Sequence, residues 1–197
     1  MRRRRTVVLV ATVALLVACG GSADASIGAD DLPRILLHPD EAPAGTRAET
    51  ALGGPSDLDA FAHDDAEREA LTADGFVSGY VAYFPPESYF RHEPHAETDV
   101  AFQAIAGLFK DADGAASSLR RYVDDLRTRQ MTNVTDVAAV GLGRDAFGLT
   151  GGAASDGSFL RVYAWRVSNL VLVLVASGPV EEDTALALAR TMDARAV

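Results

Sequence analysis

Two imidazoles and two carboxylates stand within six residues in His92-Glu93-Pro94-His95-Ala96-Glu97. Neutral imidazole nitrogens and carboxylate oxygens are zinc and copper ligands, so this run has the residue types of a metal site. Pro94 forbids the regular helix that sets both histidines of a His-Glu-x-x-His motif on one face, so only a loop could make them converge. We therefore read the run as a solvated polar loop between strands, with no metal and no cofactor. A cell-surface hydrolase or metal-dependent enzyme using the His92/His95 loop stands as the alternative. Nucleophilic chemistry finds less support. Serines are plentiful and His38 and His63 are available as bases, but Ser78 has Phe76 where a Gly-x-Ser-x-Gly elbow needs glycine. Gly141-Leu142-Gly143 begins like a dinucleotide fingerprint, yet Ala146 holds the third glycine position and no clear helix follows. There is no phosphate-binding P-loop. The acidic residues Asp57, Asp59, Asp64, Asp65, Glu67 and Glu69 lack the ligand alternation and turn glycine of a calcium loop, and read as a solvated face.

Aromatic residues give a different kind of candidate. Tyr80 and Phe84 share one face of a strand, and Tyr163 and Trp165 share a face of another with Phe159, Arg161 and Val167. Aromatic rings beside an arginine are what ligand and partner surfaces use. If helices leave that face open, Tyr80, Phe84, Arg161, Tyr163 and Trp165 form a binding surface for a lipid, a glycan or a partner protein. If a helix covers it, the same residues are core.

Those side chains have to be carried by strands. Residues 75–84 and 98–109 are rich in aromatic and branched residues, and residues 145–149, 159–167 and 170–176 follow the same pattern. Ser168-Asn169 suits a two-residue hairpin turn. Leu170-Val171-Leu172-Val173-Leu174-Val175 is apolar on both faces, as a central strand is. Residues 133–140 are a connector with some strand character. Residues 111–129 turn to helical period, with Ala112, Ala115, Ala116, Leu119, Tyr122, Val123 and Leu126 as one apolar stripe. Residues 180–195 close the chain with a second helix, whose Ala185, Leu188, Ala189 and Met192 share a face. Shorter helices are expected near Leu32, Ile35 and Leu36 and over residues 57–71. The order amounts to two β-β-α-like halves. Long hairpins imply an antiparallel sheet, and the helices that follow them imply one covered face. The expected fold class is α+β, a two-layer sandwich with helices packed on one face of the sheet.

The chain's only thiol is Cys19. It ends a run that starts with Arg2 to Arg5 and continues through an uncharged apolar stretch to Leu16-Val17-Ala18. That is secretory signal architecture, too short for the roughly 20 apolar residues of a membrane span. Leu16-Val17-Ala18-Cys19 resembles the lipobox of bacterial lipoproteins. The resemblance implies diacylglycerol on the Cys19 sulfur and cleavage after Ala18. Residues 1–18 are then signal peptide, 19–29 an acylated cysteine and flexible tether, and 30–197 a single α+β globular domain. A lone cysteine leaves no internal disulfide, so the core alone holds the fold. Formal net charge is −10 and becomes more negative once the four arginines leave, which disfavours nucleic acid and anionic lipid headgroups as partners.

Beyond the lipobox, Ile35-Leu36-Leu37 before Pro39, Asp145-Ala146-Phe147-Gly148 and Trp165-Arg166-Val167-Ser168-Asn169 resemble small lipoproteins of high-GC Gram-positive (actinobacterial) type. The whole is similar to extracellular sensor-like domains. The resemblance implies a place, the extracytoplasmic face of the cell membrane, and a fold, more than an activity. The expected function is a membrane-anchored, non-enzymatic binding or sensor-like module for a lipid, a cell-wall fragment or an envelope protein. A structural role in an envelope complex is the further alternative.

Overall fold

The computed structural model describes residues 27–94 and 96–197. The expected signal peptide, Cys19, most of the expected tether and His95 lie outside the described residues. Seven strands pair into one sheet: β1 (Gly54–Ser56), β2 (Phe76–Phe84), β3 (Ala101–Phe109), β4 (Met131–Val137), β5 (Arg144–Ala153), β6 (Phe159–Val167) and β7 (Leu170–Ser177). Every pairing is antiparallel, in the order β1-β2-β3-β7-β6-β5-β4. The helices are α1 (Leu32–Ile35), α2 (Leu58–Phe61), α3 (Asp65–Ala73), α4 (Glu87–Phe90), α5 (Ala112–Asp125) and α6 (Glu182–Arg195), and a π-helical turn at Leu126–Gln130 follows α5. The fold class is α+β with an antiparallel sheet, as expected.

The layering differs from the expected single covered face. In β7, Leu170, Leu172 and Leu174 enter the core under α6, together with Tyr163, Trp165, Ala185, Ala189 and Met192. Val171 and Val173 enter a second core under α5, with Ala115, Leu119, Val123, Leu149 and Val162. Successive side chains of a strand point to opposite faces, so α5 and α6 lie on opposite sides of the sheet. The physical reason is in β7 itself. A central strand apolar on both faces needs cover on both, since leaving one row of valines wet forfeits roughly 2 kcal/mol per side chain. The β-β-α order does recur, but the two helices take opposite faces.

Local chemistry fixes the details. Val167 pairs with Leu170 across the Ser168-Asn169 turn, where Ser168 takes a left-handed φ of 53°. Asn169 Nδ2 donates to Phe109 O at 2.7 Å and ties this hairpin to the end of β3. The acidic stretch that reads as one helix is two. Asp57 Oδ1 accepts from Ala60 N (2.9 Å), Asp64 Oδ1 accepts from Glu67 N (2.8 Å), and Glu67 Oε2 accepts from His63 N (2.7 Å). Asp57 and Asp64 are each N-caps, and the second cap starts α3 afresh. The expected connector at residues 133–140 overlaps the edge strand β4, which starts at Met131 and has a register shift between Thr132 and Thr135 and φ 51° at Asn133.

The end of α6 is latched to the N-terminal segment. Arg195 Nη1 donates to Leu36 O (2.8 Å) and to Glu41 Oε2 (2.9 Å), and Nη2 donates to Glu41 Oε1. The Arg195 hydrogen bonds, with help from His38 N–H, hold the Glu41 carboxyl at about 2, below its ordinary value of 4.5. A depressed carboxyl pKa stabilises the fold above the unfolded value, and that stabilisation is lost as pH falls through the folded value. Both side chains are near 30 % exposed, so screening reduces the latch to about 1–2 kcal/mol. Urea unfolding of Glu41→Gln should therefore show a deficit of that size at pH 6, shrinking toward zero as pH approaches 2. A deficit independent of pH would contradict the ionic latch.

Candidate functional site

Helix α5 packs on β3, β7 and β6, while only short α2 and α3 lie over β2 on the same side. A long helix and two short ones touch where α3 ends against the start of α5 but do not close along their whole length, and a cavity of about 530 Å³ remains between them and the sheet. Its floor follows from strand register. Val81 pairs with Ile105, Ile105 with Val173, and Gly107 with Val171, so three strands contribute apolar side chains to one patch. Its roof is a face of α5. Ser118, Arg121, Tyr122 and Asp125 recur at helical spacing and all line the cavity. The aromatic end is built by Phe61, whose ring lies 4.8 Å from Phe76, which in turn lies 5.8 Å from Phe109. Gly79 makes this possible, since a Cβ there would stand 2.4 Å from Phe61 Cδ2. Along β3 the lining runs from Phe109 through Gly107 and Ile105 to Gln103, roughly 20 Å at the rise of a strand.

The polar groups of the cavity fall into two kinds. The charged ones are engaged. Arg121 pairs with Asp74 at 2.5 Å, and Asp74 is only 11 % exposed. Arg129 pairs with Asp125, which also accepts from Gln130 Nε2 at 2.5 Å. Asp64 and Glu67 are the cap acceptors of the α2–α3 junction. The uncharged ones are not engaged. Ser118, buried to 7 % exposure, Tyr122 and Gln103 make no side-chain hydrogen bond among the described residues, and all three line the cavity. Burial, with the nearby Asp125 and Glu67 charges, pushes the Tyr122 phenol well above its ordinary pKa, so it stays a neutral O–H group. The arrangement can hold a small molecule with an apolar body and a hydrogen-bonding end. It presents no nucleophile–base pair, and among the described residues no group of three or more potential metal ligands occurs.

The aromatic surface expected from the sequence is not open. Tyr163 and Trp165 are 0 % exposed and Phe84 is 1 % exposed, all in the core under α6 and α1. Arg161 lies at the edge of this core and pairs with Glu182 at 3.1 Å, in the first turn of α6. Tyr80 packs beside the core and, with Phe84, lines a smaller hollow of about 250 Å³ under the 33–39 segment. The correction has a simple cause: α6 returns over the very strands whose second face α5 leaves bare. Of the possible metal run, His92 is exposed with φ 55°, and Glu93 is paired with Arg91 at 2.9 Å. Among the described residues, His63 is the histidine that lines the cavity. Sequence reading put Tyr122 in the apolar stripe of α5 and passed over Ser118. The signal was the polar series Ser118, Arg121, Tyr122, Asp125 running beside that stripe.

These features define an antiparallel α+β sandwich with a ligand-sized cavity under one face. No family model and no curated protein matches the sequence. Among solved structures, the extracellular domain of PknH from Mycobacterium tuberculosis has this fold, with a TM-score of 0.58 over 87 % of this chain and 97 % of that chain. Sequence identity is 13 %, so the likeness is one of fold. Among the described residues no helix is long and apolar enough to cross a membrane.

Proposed function

We propose that this chain is an extracytoplasmic, non-enzymatic binding module, sensor-like in character and tethered to the membrane through Cys19. It takes a small ligand into the cavity between the sheet and α2, α3 and α5. The observation that carries the reading is the cavity itself. Its volume of about 530 Å³ is that of a small-molecule site, and an apolar floor with a few polar groups is the usual composition of one. The signal-like N-terminus supports the location and the lipobox resemblance supports the tether. The extracellular domain that shares the fold is in keeping with the location.

One measurement reads both halves of the proposal. Full-length protein is taken from membranes of a producing high-GC bacterium into nanodiscs and studied by native mass spectrometry. The expected spectrum shows a chain starting at Cys19 with a diacylglyceryl mass added, carrying a further small-molecule adduct. Val173→Phe, which fills the middle of the floor, should lose the adduct and keep the lipid. An unmodified Cys19 overturns the tether. Absence of any adduct, or an adduct indifferent to Val173→Phe, overturns the cavity as the binding site.

A further inference from the structure

Resting on the cavity as a binding site, we propose that its ligand is an uncharged, hydroxyl-bearing amphiphile whose head is read by Ser118, Tyr122 and Gln103. Three observations combine. First, the charged side chains around the cavity already have partners within the protein: Arg121 has Asp74, Arg129 and Asp125 have each other, and Asp64 and Glu67 hold helix N-termini. A charged head entering here would break one of these pairs or lie unpaired in a site walled by valine, isoleucine and phenylalanine, and either is costly. Second, the neutral polar groups are the ones left without a partner. A hydroxyl, a phenol and a carboxamide supply both donors and acceptors, the match for a head with several hydroxyls rather than for an ion. Unpartnered polar groups facing a cavity strongly reward a ligand that satisfies them and reject one that cannot.

Third, the polar and apolar linings are segregated. Ser118 and Tyr122 hang from α5, four residues apart on one helix face, and Gln103 stands at the end of the floor remote from Phe109. The floor of Val81, Ile105, Val171 and Val173 and the ring of Phe61 remain for an acyl or other apolar chain. A ligand with its head toward Gln103 and its chain toward Phe61 satisfies both linings at once.

The test uses probes that share a ten-carbon chain and differ in the head. These are 1-decanoylglycerol and decyl glucoside, both neutral, with decanoate and decyltrimethylammonium as the anion and cation. Equilibrium dialysis against full-length protein in phosphatidylcholine nanodiscs, with empty nanodiscs in parallel, isolates binding to the protein. At least one neutral probe should bind about 10-fold or more tighter than both ions, and the better of the two identifies a glycerol or a sugar head. Ser118→Ala and Tyr122→Phe should each weaken that probe by about 5-fold, the worth of one hydrogen bond, with little change in unfolding midpoint. An ion that binds as tightly as the neutral probes, and is displaced by Val173→Phe, overturns the inference and leaves the cavity reading standing. So does neutral binding that responds to Val173→Phe but to neither Ser118→Ala nor Tyr122→Phe. If no probe binds above empty nanodiscs, or none responds to Val173→Phe, the inference and the cavity reading fall together.

Discussion

Trp165→Ala should destabilise the protein by about 3–5 kcal/mol, the range for removing a fully buried large aromatic side chain. Trp165 is 0 % exposed, surrounded by the core under α6, and stands opposite Leu172 in the β6–β7 pairing. Its removal leaves a void that rigid strand neighbours cannot close. In a domain of this size that is roughly 10 °C in unfolding midpoint. Trp165→Phe should cost far less, because the indole Nε1 is buried without a hydrogen-bond partner among the described residues and deletion of the N–H sacrifices no bond there. Urea unfolding of the two variants measures the contrast. It also separates core from ligand surface. Trp165→Phe should leave probe binding unchanged, since its ring and the cavity are on opposite faces of the sheet. Loss of binding with unchanged stability in Trp165→Phe would reinstate the aromatic face as the site.

The second large effect concerns a glycine. A Cβ on Gly114 would stand 2.0 Å from the carbonyl oxygen of Asp74, and that oxygen belongs to backbone. Gly114 is in the first turn of α5, with its N–H held by Asp111 Oδ1 at 2.8 Å, and Asp74 is the residue that ends α3. Neither can give way without moving a helix. Gly114→Val should therefore cost about 3 kcal/mol or more, at the upper end of overpacking. The displacement separates α3 from α5, so the Arg121–Asp74 pair and the cavity wall suffer too, and probe affinity should fall with stability. Gly157→Ala is the comparison. Its φ is 77° but nothing lies within 4 Å of the added carbon, so only the backbone preference of about 1 kcal/mol is lost. Equal losses in the two variants would show that conformational preference, not the α3–α5 contact, governs Gly114.

The strands of the central hairpin were legible because their chemistry is local. Residues 159–167 and 170–176 alternate or run apolar, and Ser168-Asn169 supplies the turn that sets their register. The stripe of α5 was legible for the same reason, and so was the central place of β7. The break in the acidic helix was visible in principle, since Asp64 followed by Glu67 is a cap signature. It was hidden by the continuous acidity of residues 57–71. The candidate site was almost illegible. Ser118, Tyr122, Gln103, Val81 and Phe61 come from four elements spread over more than sixty residues of chain, and no spacing rule links them. The aromatic set pointed the wrong way because the pattern Tyr163-Ala164-Trp165 states only which side chains share a face.

The sequence by itself determined the α+β class, the antiparallel hairpins, the apolar faces of the two long helices and the double-sided character of β7. Each of these is set by near neighbours, through alternation, helical period or turn chemistry. Only the tertiary structure decided which face of the sheet each helix covers. That choice depends on how the 110–111 and 178–181 connections leave their strands and on the competing burial of two apolar faces, a sum over residues far apart in the chain. The same sum buried Tyr163 and Trp165 under α6 and left short α2 and α3 beside long α5. The cavity is the space that unequal cover leaves.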